Sequence, residues 1–128
     1  MNKKPTFALV ILLCFGCDTA PNQSQNQVSP SETYVLSVPQ KYQSKTKESV
    51  WMVTIKSADG SVLYRDEDST MWSGSNAYFG WDEQDRVWLY YSDDQRIWRW
   101  ELVNDRWTKQ ESSSEDGIPN WILPDYAK

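Results

Sequence analysis

Arg86-Val87-Trp88, Arg96-Ile97-Trp98 and Arg106-Trp107 recur at a spacing of ten residues. Each stands behind a turn-forming cluster: Asp82-Glu83-Gln84-Asp85, Ser92-Asp93-Asp94-Gln95 and Asn104-Asp105. Ten residues make one short strand and one turn. Turns at intervals of about 8–12 residues mark an antiparallel all-β meander. The period is too short for a solenoid repeat or a propeller blade of about 40 residues.

Upstream, Tyr34-Val35-Leu36-Ser37-Val38 predicts a strand that ends at Pro39, and the lysine-bearing segment 40–49 reads as a solvated loop. Residues 50–56 alternate as a single strand with Trp51, Val53 and Ile55 on one face. Ala58-Asp59-Gly60 predicts a hairpin turn, with 61–65 as the return strand and a further turn at 73–76. The expected fold is a small antiparallel meander of about 6–8 short strands, rolled into a barrel or two-layer sandwich. Eight Trp, seven Tyr and three Phe, with every Trp after residue 50, supply its core. Each such side chain can bury about 150–250 Å². Residues 33–128 are expected to form one domain.

Four-residue loops at 82–85 and 92–95 and a two-residue loop at 104–105 predict the pairing. Val87 then faces Trp100, Leu89 faces Trp98, Tyr91 faces Arg96, Leu102 faces Trp107, Tyr78 faces Leu89, and Gly80 faces Val87. One sheet face carries Tyr78, Val87, Leu89, Trp98, Trp100, Leu102 and Trp107 and is the expected core side. A loop one residue longer would move part of this set to the other face.

The opposite face is the candidate binding face: Trp81, Arg86, Trp88, Tyr90, Arg99 and Glu101. Arg99 lies opposite Trp88, where a guanidinium can rest on an indole. Arg86 lies opposite Glu101, where a cross-strand ion pair can form. Aromatic plates among arginines suit the anchors of a protein interface; they also suit stacking of sugar rings. A third reading has the face covered by the 50–56 strand or by the apolar tail 118–123. The tail is expected to pack back on the sheet, its alternative being a docking peptide.

Composition limits the chemistry. The chain has 128 residues and no histidine. Ser-His-Asp or Cys-His catalysis, histidine metal sites and a histidine switch are therefore excluded. Asp66-Glu67-Asp68-Ser69-Thr70 lacks the glycine and distal glutamate of a calcium loop. Asp82, Glu83 and Asp85, or Asp93 and Asp94, resemble solvated turn formers more than a glycosidase pair flanking a cleft. No nucleophile elbow or P-loop occurs. The sequence thus calls for no cofactor, no metal and no catalytic residue.

The N-terminus speaks to location. Met1-Asn2-Lys3-Lys4 precedes an apolar run from Phe7 to Phe15, then Gly16 and Cys17. This is the layout of a secretory signal, and the run is too short for a span of about 20 residues. Leu13-Cys14-Phe15-Gly16-Cys17 resembles the lipobox of bacterial lipoproteins in its Gly16-Cys17 junction. The resemblance implies removal of 1–16, lipidation of Cys17, and a stable membrane anchor in the cell envelope, at either membrane. Residues 17–32 are polar and proline-punctuated, as a flexible tether is. Loss of Lys3 and Lys4, with no acidic residue, moves the net charge from −5 to −7. Such a chain is not drawn to nucleic acid or anionic lipid by its overall charge. The mature chain keeps only Cys17 and so forms no internal disulfide. The expectation is an exported, lipid-anchored, non-catalytic module with an envelope protein partner, or alternatively a glycan.

Overall fold

The computed structural model describes residues 26–128, the side chain of Ser114 excepted. The signal segment, Cys17 and most of the tether lie outside the described residues. Ten strands run in order: β1 Gln27–Val28, β2 Tyr34–Ser37, β3 Gln40–Gln43, β4 Glu48–Trp51, β5 Thr54–Ser57, β6 Val62–Arg65, β7 Ala77–Trp81, β8 Val87–Tyr91, β9 Arg96–Val103 and β10 Arg106–Ser112. Three short 3₁₀ turns follow, at Ser114–Asp116, Asn120–Ile122 and Asp125–Ala127.

All pairing is antiparallel, in sheets ordered β1-β2-β5-β6, β10-β9-β8-β7 and β3-β4. The two four-stranded sheets share one core, as in a two-layer sandwich. Leu36 and Ile55 come from one sheet; Phe79, Trp81, Val87, Leu89 and Trp100 come from the other. Among the described residues, edges remain at β1, β6, β7 and β10, so these strands do not close into a barrel.

The expected meander is present, and its register holds from β8 onward. Val87 pairs with Trp100, Leu89 with Trp98, Tyr91 with Arg96, and Leu102 with Trp107. Asn104 and Asp105 close the last hairpin at positive φ of 52° and 65°, the conformation of a two-residue primed turn. The register of β7 differs by one. Phe79, not Tyr78, pairs with Leu89, and Trp81, not Gly80, pairs with Val87. The cause is Asp82. Its Oδ1 accepts from the backbone N–H of Gln84 (2.8 Å) and Arg86 (3.0 Å), while Asp85 turns at φ 60°. This wrapped loop holds one residue more than a four-residue turn. The side-chain period is two, so every β7 side chain changes face. Phe79 and Trp81 enter the core, and Tyr78 leaves it.

Three other expectations are corrected. Residues 50–56 are not one strand. Met52 N–H donates to Pro39 O (2.9 Å), and the chain passes from β4 in one sheet to β5 in another. Trp51, Val53 and Ile55 are nevertheless all buried together. Segment 40–49 is not a loop but the β3-β4 hairpin, with Lys47 at φ 61° in its turn. The exposure of Lys41 and Tyr42 hides that hairpin from any apolar pattern. The ordered fold also begins before residue 33. β1 pairs with Val35 and Leu36, and Gln27 O accepts from Trp81 Nε1 at 2.9 Å. Its ties are polar, so the sequence reads like tether.

The tail packs back. Ile122 is fully buried with Trp88, Tyr90 and Ile97, flanked by Tyr78, Ile118, Leu123 and Ala127. Burial of one such isoleucine stabilises by about 1.5–3 kcal/mol. Gly80 permits the close approach: the Trp121 ring lies where a Cβ at position 80 would project.

Candidate functional site

Trp88, the second residue of β8, has no solvent exposure. Its Nε1 donates to Asp82 Oδ2 at 2.8 Å, and Arg86 Nε donates to the same oxygen at 2.7 Å. Burial alone would raise the Asp82 carboxyl. Hydrogen bonds from Trp88, Arg86 and Gln84 outweigh it and hold the group below its ordinary range. The guanidinium of Arg99 lies 5.2 Å from the Trp88 ring and that of Arg86 5.9 Å. Glu101 joins the two: Oε2 meets Arg99 Nη2 at 3.3 Å and Gln110 Nε2 at 3.0 Å, and Oε1 lies 4.0 Å from Arg86 Nη1. The result is a polar lid of two cations and two carboxylates over one buried indole.

Five of the six expected face residues therefore share one sheet face: Arg86, Trp88, Tyr90, Arg99 and Glu101. Trp81 does not, because the β7 shift turns it into the core, where it stacks on Tyr34 and meets Trp107 edge-on. Trp88 and Tyr90 are buried, beneath the tail and the arginine lid. Burial, then the neighbouring phenols of Tyr126 and Tyr78, pushes the Tyr90 hydroxyl up. Only the rim of Arg86, Glu101 and Arg99 reaches solvent. The turn carboxylates are held locally: Asp85 accepts from Ser31, and Asp94 from the Arg96 N–H.

No family model, curated protein or solved structure matches this chain.

A second surface is open. Strands β9 and β10 run eight and seven residues, whereas β2, β5 and β6 run four. The long hairpin overhangs the opposite sheet. Leu102, expected in the core, is consequently 43% exposed, and Leu63 on β6 is 46% exposed. Between them lies a groove of about 500 Å³ lined by Tyr34, Leu63, Tyr64, Leu102, Arg106 and Trp107, among others. Tyr34 meets Trp107 edge to face at 5.1 Å. Tyr64 Oη accepts from Trp100 Nε1 at 3.2 Å, and burial followed by Asp66 raises its pKa. The inward parity of Leu102 and Trp107 was legible in the sequence. That the facing strands stop short was not.

Proposed function

We propose that this protein is a non-catalytic contact module of the bacterial cell envelope, exported and held to a membrane through Cys17. Its contact surface is the overhang groove. One observation carries this reading: exposed Leu63 and Leu102 gather with Trp107, Tyr34 and Arg106 around one concavity. Contiguous exposed apolar groups with a Trp and an Arg are the composition of an interface anchor. The hydrogen bonds from Trp88 and Arg86 to Asp82 support a structural use of that turn acid, and they hold its carboxyl below the ordinary range, whereas a general acid requires a raised pKa. For the anchor, the support is the Gly16-Cys17 junction behind a charged and apolar leader.

The test places a photo-crosslinking residue at Leu102, at Leu63 and, as a control, at Asp93 of the opposite turn, in the producing cell. Discrete adducts from the first two positions alone support the reading. Equal yields from all three, or none, defeat it. Acyl labelling of the chain and its Cys17→Ser variant tests the anchor; label that persists in the variant refutes lipidation at Cys17.

A glycan is the second reading, favoured by the rings of Tyr34, Tyr64 and Trp107 around the same groove. Cell-wall oligosaccharides would then shift tryptophan fluorescence, and Trp107→Ala would remove the shift. A flat titration would eliminate the sugar.

A further inference from the structure

The protein is acidic overall, yet the described cations outside ion pairs collect, with one exception, in one region. Among the described residues, ion pairs engage Arg86, Arg96, Arg99, Lys109 and Lys128. Of the described cations outside those pairs, Lys41, Lys45, Lys47, Lys56 and Arg65 lie on the β3-β4 hairpin or on the neighbouring β5 and β6. Only Arg106 lies elsewhere.

Three of these line a second concavity. The β3-β4 hairpin stands against the outward face of β5 and β6 and borders an open groove of about 560 Å³. Lys41 enters from β3, Lys56 from β5 and Arg65 from β6. The parity follows from the core: Leu36 and Ile55 point inward, so Ser37 and Lys56 point outward. Gln40 also lines the groove. Its Oε1 is taken by Ser73 Oγ at 3.2 Å, which leaves the amide N–H₂ to donate. Glu67 is the single acidic group in the lining. At physiological ionic strength, charges beyond about 8 Å are largely screened. The groove residues, not the net charge, set the local potential.

We propose that this groove binds a phosphate group. An arginine fork and two lysine ammonium groups around a donor amide match phosphate oxygens in charge and in hydrogen-bonding sense. The volume falls in the range of ligand sites, about 300–1,000 Å³, and exceeds a bare phosphate. The bound species is thus larger than a bare phosphate: a soluble phosphate-bearing solute, or a phosphate presented as the headgroup of an anionic phospholipid. The site lies apart from the overhang groove and does not depend on what binds there.

Lysine acetylation footprinting of the full chain tests it. Acetylation of Lys41 and Lys56 is compared with that of Lys45, Lys47 and Lys128 by mass spectrometry. The probes are pyrophosphate, phosphatidylglycerol vesicles and phosphatidylcholine vesicles. Selective protection of Lys41 and Lys56 by pyrophosphate is expected and identifies a soluble phosphate species as sufficient. Selective protection by phosphatidylglycerol vesicles alone identifies the headgroup source. Arg65→Gln, an exposed position, should weaken protection about tenfold in probe concentration with an unchanged circular dichroism spectrum; Lys56→Gln should do the same for Lys41. Protection by no anionic probe, equal protection at every lysine, or full protection of Lys41 in both variants overturns the proposal.

Discussion

Strand β8 is buried on both faces, but by different means. Val87, Leu89 and Tyr91 face the second sheet, whose strands are held by ladders of backbone hydrogen bonds. Trp88 and Tyr90 face a tail of three short 3₁₀ turns. Among the described residues, the tail's backbone bonds outside strands are all local, such as Ile122 N–H to Pro119 O and Ala127 N–H to Pro124 O. Its grip on the sheet is therefore side-chain packing. One face is closed by architecture and the other by a cover. The cover is the part that can be removed without dismantling a ladder.

The strongest test of this difference is Trp100→Ala on the architectural side. Truncating that fully buried indole should cost about 3–5 kcal/mol. A domain of this size has about 5–15 kcal/mol in total. Chemical denaturation should show a lower midpoint by every probe. An unaltered midpoint would mean that the inner face is not the core.

Ile122→Ala strikes the cover and should cost about 2 kcal/mol, the lower end for such a truncation, because the tail can settle into the space. Truncation after Asp116 sharpens the contrast. The sheet pairing should survive while Trp88, Tyr90 and Ile97 become exposed, seen as dye binding and a red-shifted fluorescence. Complete unfolding would show that the tail belongs to the architecture after all.

Asp82→Ala removes the acceptor of a buried indole N–H and should cost about 1–3 kcal/mol. The pH dependence carries a sign. The folded pKa of Asp82 lies below its ordinary value of 3.8. Its contribution is therefore fully present above that value and fades as pH falls through the folded pKa. The stability gap between the wild type and the variant should stay constant near neutrality and narrow only below about pH 4. A gap that narrows at pH 6 would contradict the assignment.

Gly80→Ala should loosen the Trp121 contact and speed hydrogen exchange in the tail before that in β8. The smallest expected effect is Leu102→Asp: within about 0.5 kcal/mol in stability, since the side chain is already wet. A large loss there would mean that the overhang is packed in solution.

Between β8 and β10, strand pairing was readable because each turn announced its own length. Asn104-Asp105 is short and tolerant of positive φ, and 92–95 is a compact polar cluster. The turn at 82–86 misled because its extra residue depends on Asp82 folding back on Gln84 and Arg86 and reaching Trp88. A carboxylate in a turn looks the same whether solvated or engaged. Of the candidate face, the pairing of Arg99 with Trp88 was legible from register alone, while the burial of Trp88 was not.

By itself, the sequence determined an antiparallel β fold, the alternation that buries Trp51, Val53, Ile55, Val87, Leu89 and Trp100, and the apolar character of the tail. These follow from local periodicity and turn chemistry, which neighbouring residues carry. Only the tertiary structure decided which sheet each strand joins, where Trp81 points, and that a polar segment at Gln27 is built into the edge. It also decided that one hairpin overhangs and that the cations of three strands line one groove. Such facts depend on contacts between distant segments, whose pairwise energies leave no periodic trace in any one of them.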